Sequence, residues 1–160
     1  MDANRHTMRE VASLDAAFEE EGITLPSGID LADAQIWVLP TKRWDRILFE
    51  EQSVEAVKIA AECGIQARLL SDDPSPRFAI QKSADLILPA IMVHMQGAQQ
   101  VPWSMLANYL TSLLGLHPRD TRVRSKLYVK DEKGTLRFEY EGSASELVPA
   151  LEEARKLRDA

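Results

Sequence analysis

Residues 123–130 and 135–141 form two alternating runs around Asp131-Glu132-Lys133-Gly134, and no other stretch of the chain restricts the fold as tightly. A four-residue connection closing on glycine is a common hairpin loop. That loop fixes a register: Lys130 faces Thr135, Val129 faces Leu136, Leu127 faces Phe138 and Ser125 faces Tyr140. The last three pairs share one face and make it apolar. On the other face Tyr128 meets Arg137, Lys126 meets Glu139 and Arg124 meets Glu141. Opposite charges directly across a sheet contribute about 0.2–1 kcal/mol each, and a slip of one residue destroys all these pairs together. The hairpin is therefore expected to be scaffold, with its charged face in solvent.

The same register weakens a reading that the linear sequence invites. Arg119, Arg122, Arg124, Lys126 and Lys130 look like a strip for nucleic acid. Glu139 and Glu141 neutralise its middle, which leaves the Arg119–Arg122 end as the candidate for a polyanion. A net charge of −6 works against nucleic acid and anionic membrane as partners, because both respond to summed positive charge.

Ser143-Ala144-Ser145-Glu146 follows with capping-box spacing. Pro149 must lie near the first turn of the next helix, since an interior proline costs about 3 kcal/mol, and Ser145 is then the expected cap. Leu147, Val148, Leu151, Ala154 and Leu157 form an apolar stripe that packs most simply on the apolar face of the hairpin. This ending of charged strand, glycine turn, charged strand and leucine helix resembles small accessory domains of bacterial conflict systems. The resemblance is confined to the tail, and it implies no activity.

The rest reads as an α/β chain with a mixed sheet. Thr7-Met8-Arg9-Glu10 has the form of a capping box, and Met8, Val11, Leu14 and Phe18 keep helical spacing up to Gly22, so an N-terminal helix is expected over 8–21. A strand at 34–40, a helix at 47–62 closed by Gly64, and a strand at 65–70 make a parallel βαβ unit. A turn at Ser71-Asp72-Asp73-Pro74 precedes a short helix over 77–84. Residues 85–89 suit a third strand buried on both faces, with a helix through Ile91 as the competing reading. Pro102 opens a central amphipathic helix in which Trp103 and Tyr109 are expected as core anchors.

At 160 residues, 45% apolar and 28% charged, the chain is expected to form one globular domain over 1–160. Cys63 is the only cysteine, which rules out an intrachain disulfide or a thiolate metal site and favours a reducing compartment. The longest apolar run, 86–93, falls well short of the roughly 20 helical residues a bilayer requires. The N-terminal residues have no apolar signal segment. A soluble, cytoplasmic protein is the expectation.

In open α/β sheets ligands gather beyond the carboxyl ends of parallel strands. Lys42, Arg43, Trp44 and Arg46 follow the first strand, and Asp72 follows the second. The cations suit a phosphate, Trp44 could stack a base, and Asp72 could accept from a ribose hydroxyl. No G-x-G-x-x-G or P-loop supplies a backbone cradle, and a basic solvated loop is the plainer reading. Asp72 and Asp73 with Asp45 or Asp85 could hold a divalent cation, but Asp-Asp-Pro is a turn signal. His6, His94 and His117 lack ligand spacing, and His94 reads as a packed residue with a backbone partner. Cys63 sits at a helix C-terminus, where the dipole disfavours a thiolate. No metal or cofactor is called for. The expected function is a non-enzymatic protein-binding or accessory module, within a larger bacterial-type assembly or a homo-oligomer, using Trp44, Trp103 or residues 86–95. The alternative is a nucleotide- or phosphate-binding enzyme or sensor built on the loop after the first strand.

Overall fold

The computed structural model describes residues 4–43, 45–80, 85–115 and 117–159. Strands β8 (Arg122–Asp131) and β9 (Gly134–Ser143) pair antiparallel in the anticipated register, from Lys130↔Thr135 through Arg124↔Glu141. At the tip, the Asp131 carboxylate accepts the Lys133 N–H at 2.9 Å. Gly134 takes φ 126°, a value that favours glycine.

The other strands extend this hairpin on both sides. β1 (Arg5–Val11) adds antiparallel to β9, while β6 (Leu86–Ile87) and β7 (Ile91–His94) add parallel to β8. β2 (Ile36–Val38) runs antiparallel to β7 and parallel to β5 (Ala67–Leu69). The main order is β1-β9-β8-β7-β2-β5, with β6 beside β8. β3 (Thr41–Arg43) and β4 (Arg46–Leu48) form a separate two-stranded arm. The helices are α1 (Leu14–Glu20), α2 (Ser53–Glu62), α3 (Trp103–Leu114) and α4 (Leu147–Asp159). β2, α2 and β5 form the expected parallel βαβ unit, closed by Gly64 at φ 78°.

Both faces of the sheet carry a core. On one, α2, α3 and α4 bury Ile59, Leu110 and Leu151 against Leu127, Leu136 and Phe138, as expected for the helix that follows the hairpin. On the other, α1 and the segment after it close over Val11, Trp37, Met92 and Tyr128. The hairpin face expected in solvent is thus partly roofed. Tyr128 is fully buried and donates its hydroxyl to Glu21 at 2.6 Å. Burial, and then that bond, push its phenol well above the ordinary tyrosine pKa. Lys126 turns to Glu21 at 2.9 Å rather than to Glu139, which pairs with Arg137 at 2.9 Å.

The chain start departs most from expectation. Residues 5–11 are a strand, and the helix begins only at Leu14, where the Ser13 hydroxyl accepts the Ala16 N–H at 3.1 Å. Thr7 therefore caps nothing. A spacing of three between Met8 and Val11 fits either state, and the open edge of β9 decides it by offering backbone partners. Asn4 fastens the strand by accepting the Ser143 N–H at 2.9 Å. Gly142 permits that approach, since a Cβ there would collide with the side chains of Asn4 and Tyr140. The cation pair Arg9↔Arg137 across β1 and β9 is bridged by Glu20, which lies 2.6 Å from Arg9 and 3.7 Å from Arg137.

Other boundaries also shift. α2 starts at Ser53, because residues 46–48 are used in the arm. Residues 77–80 are extended rather than helical, with Phe78 paired to Phe49, and 81–84 lie outside the described residues. Strand wins over helix in 86–94, broken at Pro89, with Met92 in one core and Ile91 and Val93 in the other. Ser143, not Ser145, precedes a short 3-10 turn (Ala144–Glu146) that runs straight into α4 and leaves Pro149 in its first turn. Tyr109 is buried and donates to the Ala56 carbonyl at 3.0 Å, while Trp103 is half-buried beneath the Arg155 guanidinium at 4.3 Å. No helix among the described residues is long and apolar enough to cross a membrane.

Ser13→Ala is expected to cost about 1 kcal/mol in urea unfolding. Thr7→Ala, on an exposed strand, should stay within about 0.5 kcal/mol. The reverse ranking would restore a helix starting at residue 8. Glu20 is held below the ordinary carboxylate range first by its bond to Arg9. Its contribution is complete above the unfolded pKa and is lost as pH falls through the lowered folded value. Glu20→Gln should flatten the acid limb of a stability–pH curve.

Candidate functional site

The carboxyl ends of β2 and β5 open into a cleft of about 600 Å³, with Ile23, Pro40, Phe49 and Leu70 among its apolar lining. Leu70 donates its N–H to the Val38 carbonyl at 2.8 Å, keeping the two strand ends level. The chain then turns: the Ser71 hydroxyl accepts the Asp73 N–H at 3.0 Å, and the Asp73 carboxylate accepts the Ser75 N–H at 2.8 Å. Asp73 is thus a turn residue, as Asp-Asp-Pro suggests, and Asp72 is left exposed at the rim.

Two arginines line this cleft from separate segments. Arg46 stands on β4. Arg77 is placed by the pairing of 77–79 with Phe49, through Phe49 N–H to Arg77 carbonyl at 2.9 Å and Ala79 N–H to Phe49 carbonyl at 2.8 Å. Both are exposed, and among the described residues neither has an ion pair. Sequence reasoning assigned Arg77 to a helix. Pro74 and Pro76 just before it were the available signal for extended chain.

The other residues expected here separate. Arg43 donates to both oxygens of Glu50, at 2.9 and 3.1 Å, and Glu50 is only 5% exposed. Lys42 lays its methylene stem against Gly22, which holds φ 71° at the end of α1. Trp44 lies outside the described residues. Of the five anticipated ligand residues, Arg46 and Asp72 therefore share the cleft.

The proposed polyanion end is also changed. Arg122 was expected to be unpaired, but it donates to Glu141 at 2.8 Å and lies 3.9 Å from Asp85. That bond is the main reason Glu141 titrates below the ordinary range. Arg119 is exposed. Asp85 sits 3.3 Å from Arg124 rather than among the cleft residues, and no cluster of three or more metal-ligating side chains occurs among the described residues. His94 is buried, with Nε2 2.8 Å from the Leu31 carbonyl, the backbone partner anticipated. Cys63 is half-buried, 3.7 Å from both Ser112 Oγ and Asn108 Nδ2. A second cleft, of about 490 Å³, lies on the roofed side of the sheet beside Arg124, Lys126, Glu21 and Glu141, where charges of both signs are already paired.

Comparison with protein-family models, curated proteins and solved structures finds no significant match to this chain. The site is therefore read from its own geometry. Arg43→Ala is expected to destabilise by about 1–3 kcal/mol, because buried Glu50 loses its partner while Arg43 itself is half in solvent. Arg46→Ala should stay within about 0.5 kcal/mol in the same denaturation experiment. Equal losses would make Arg46 structural.

Proposed function

We propose that this chain is a binding module whose carboxyl-end cleft holds a small anionic organic molecule. The observation carrying this reading is the convergence of Arg46 and Arg77, from separate segments, on one apolar-floored cleft. Planar guanidinium groups suit carboxylate and phosphate oxygens bidentately, and apolar lining suits the body of a ligand. The position beyond parallel strand ends is the usual one for ligands of α/β sheets. Asp72 at the rim favours a ligand that also carries hydroxyl donors, as a sugar phosphate or nucleotide does.

A thermal-unfolding panel of inorganic phosphate, nucleotides, sugar phosphates and dicarboxylates tests this. A true ligand at one hundred times its Kd should add about 2.7 kcal/mol, a rise of several degrees. Arg77→Ala and Arg46→Ala should remove the rise, and Arg119→Ala should keep it. A wild-type chain indifferent to the whole panel counts against the reading.

A protein partner is the second reading, favoured by one observation. Ile47, Val54, Phe78 and Ile80 are 48, 45, 39 and 76% exposed, and they account for four of the five exposed large apolar residues among those described. All four belong to segments 45–54 and 77–80, which the Phe49–Phe78 pairing joins. Exposed apolar side chains on two paired segments that also carry Arg46 and Arg77 fit an acidic protein segment with apolar side chains. Ile80→Asp should then abolish capture of a specific partner from native lysate while leaving the anion-induced thermal shift intact.

A further inference from the structure

Arg46 lines the cleft from the β3–β4 arm, whose register ends on the pair Arg43↔Arg46. Residues directly opposite in an antiparallel pair project on the same face, so this rung sets two cations side by side at the tip of the arm. Like charges in that position oppose pairing. Residues 41–48 hold Lys42, Arg43 and Arg46 against Asp45 alone, in a chain whose net charge is −6.

The arm has few means of offsetting that repulsion. Among the described residues β3 and β4 pair only with each other, and a two-stranded hairpin without a wider sheet is marginal in water. β3 is held at Lys42, whose stem lies against Gly22, and at Arg43, which donates to Glu50. β4 runs into Phe49 and its pairing with 77–79. Glu50 neutralises Arg43. Nothing comparable neutralises Arg46: among the described residues it has no ion pair, and Asp45 beside it in the turn supplies none. The tip is therefore short of one negative charge, at the residue that lines the cleft.

We infer that the ligand anion completes the arm. Held at Arg46, the anion does for that side chain what Glu50 does for Arg43, and anion binding is coupled to β3–β4 pairing. Arg46 and Ile47 line the cleft from β4, so an arm that opens takes part of the wall with it. The occupied cleft is closed and the empty one opens more often. This inference rests on the anion-cleft reading and adds its regulation. Coupling between two equilibria is reciprocal, so a charge that stabilises the pairing from within the chain must also replace the ligand.

Hydrogen exchange of the protected β3 and β4 amides, followed by NMR on the full chain, reads the opening of the arm. In the ligand-free chain, Arg46→Gln should slow this exchange and Arg46→Glu should slow it further, by about fivefold, because a carboxylate then stands opposite Arg43. A side chain that only packs gives faster exchange in both variants. Inorganic phosphate should slow the wild-type arm by a similar factor, relative to chloride at equal ionic strength, and leave Arg46→Glu unchanged. Exchange in Arg46→Glu that equals or exceeds the wild-type rate overturns the inference, as does a wild-type arm indifferent to phosphate. If anions raise thermal stability through Arg46 and Arg77 while arm exchange stays constant, the cleft reading stands and the coupling fails. If Arg46→Glu slows the arm but no anion raises thermal stability, the cleft reading fails and takes the inference with it.

Discussion

Tyr128 ties α1 to the sheet. Its backbone lies in β8 between Met92 of β7 and Arg137 of β9, and its ring fills the core beneath α1. Its hydroxyl donates to Glu21 at the end of α1 and accepts from Arg137 Nε at 3.3 Å. A carboxylate at a helix C-terminus is poorly placed against the helix dipole. Here the phenol and the Lys126 ammonium offset that, and the helix end is pinned to the sheet as a result. Gly22 follows from this point with the Lys42 stem laid against it, and Gly22 lines the cleft beyond β2 and β5.

The segment after α1 has little regular structure but is firmly held. The Leu31 carbonyl takes the Trp37 indole N–H at 2.8 Å and lies 2.8 Å from His94 Nε2, so one backbone oxygen satisfies two polar atoms buried in the outer core. That arrangement requires the His94 proton on Nε2. Gln99 adds a bond to the Ala32 carbonyl at 2.7 Å. Buried polar atoms need partners, and here they come from a loop backbone rather than from other side chains.

The hairpin was legible in the sequence because alternation, turn chemistry and cross-strand charge all demanded one register. The cover on its charged face was not. Lys126 and Glu139 are compatible neighbours, yet Glu21, more than a hundred positions away in the chain, claims the lysine. β1 was misread for a similar reason, since its helical spacing was local and its pairing with β9 was not. At the cleft, the rule about strand ends located Arg46 and Asp72. Arg43 was lost to Glu50, whose burial makes a partner obligatory, and no local pattern announces that burial. Arg77 depended on the Phe49–Phe78 pairing, which joins two segments that carry little strand signal of their own.

The pairing of residues 5–11 with 135–141 also has a consequence in time. The first strand of the sheet to be synthesised is completed by the last. A chain emerging from the ribosome carries β1 without its neighbour until residues 134–143 are made, while α2 and β5 can already close on β2. Long-range strand pairing is slow because the loop entropy is lost before the contact forms. Assembly of this sheet is therefore a late event, and every shorter nascent chain presents residues 5–11 as an unmatched segment for the cell's folding machinery to guard.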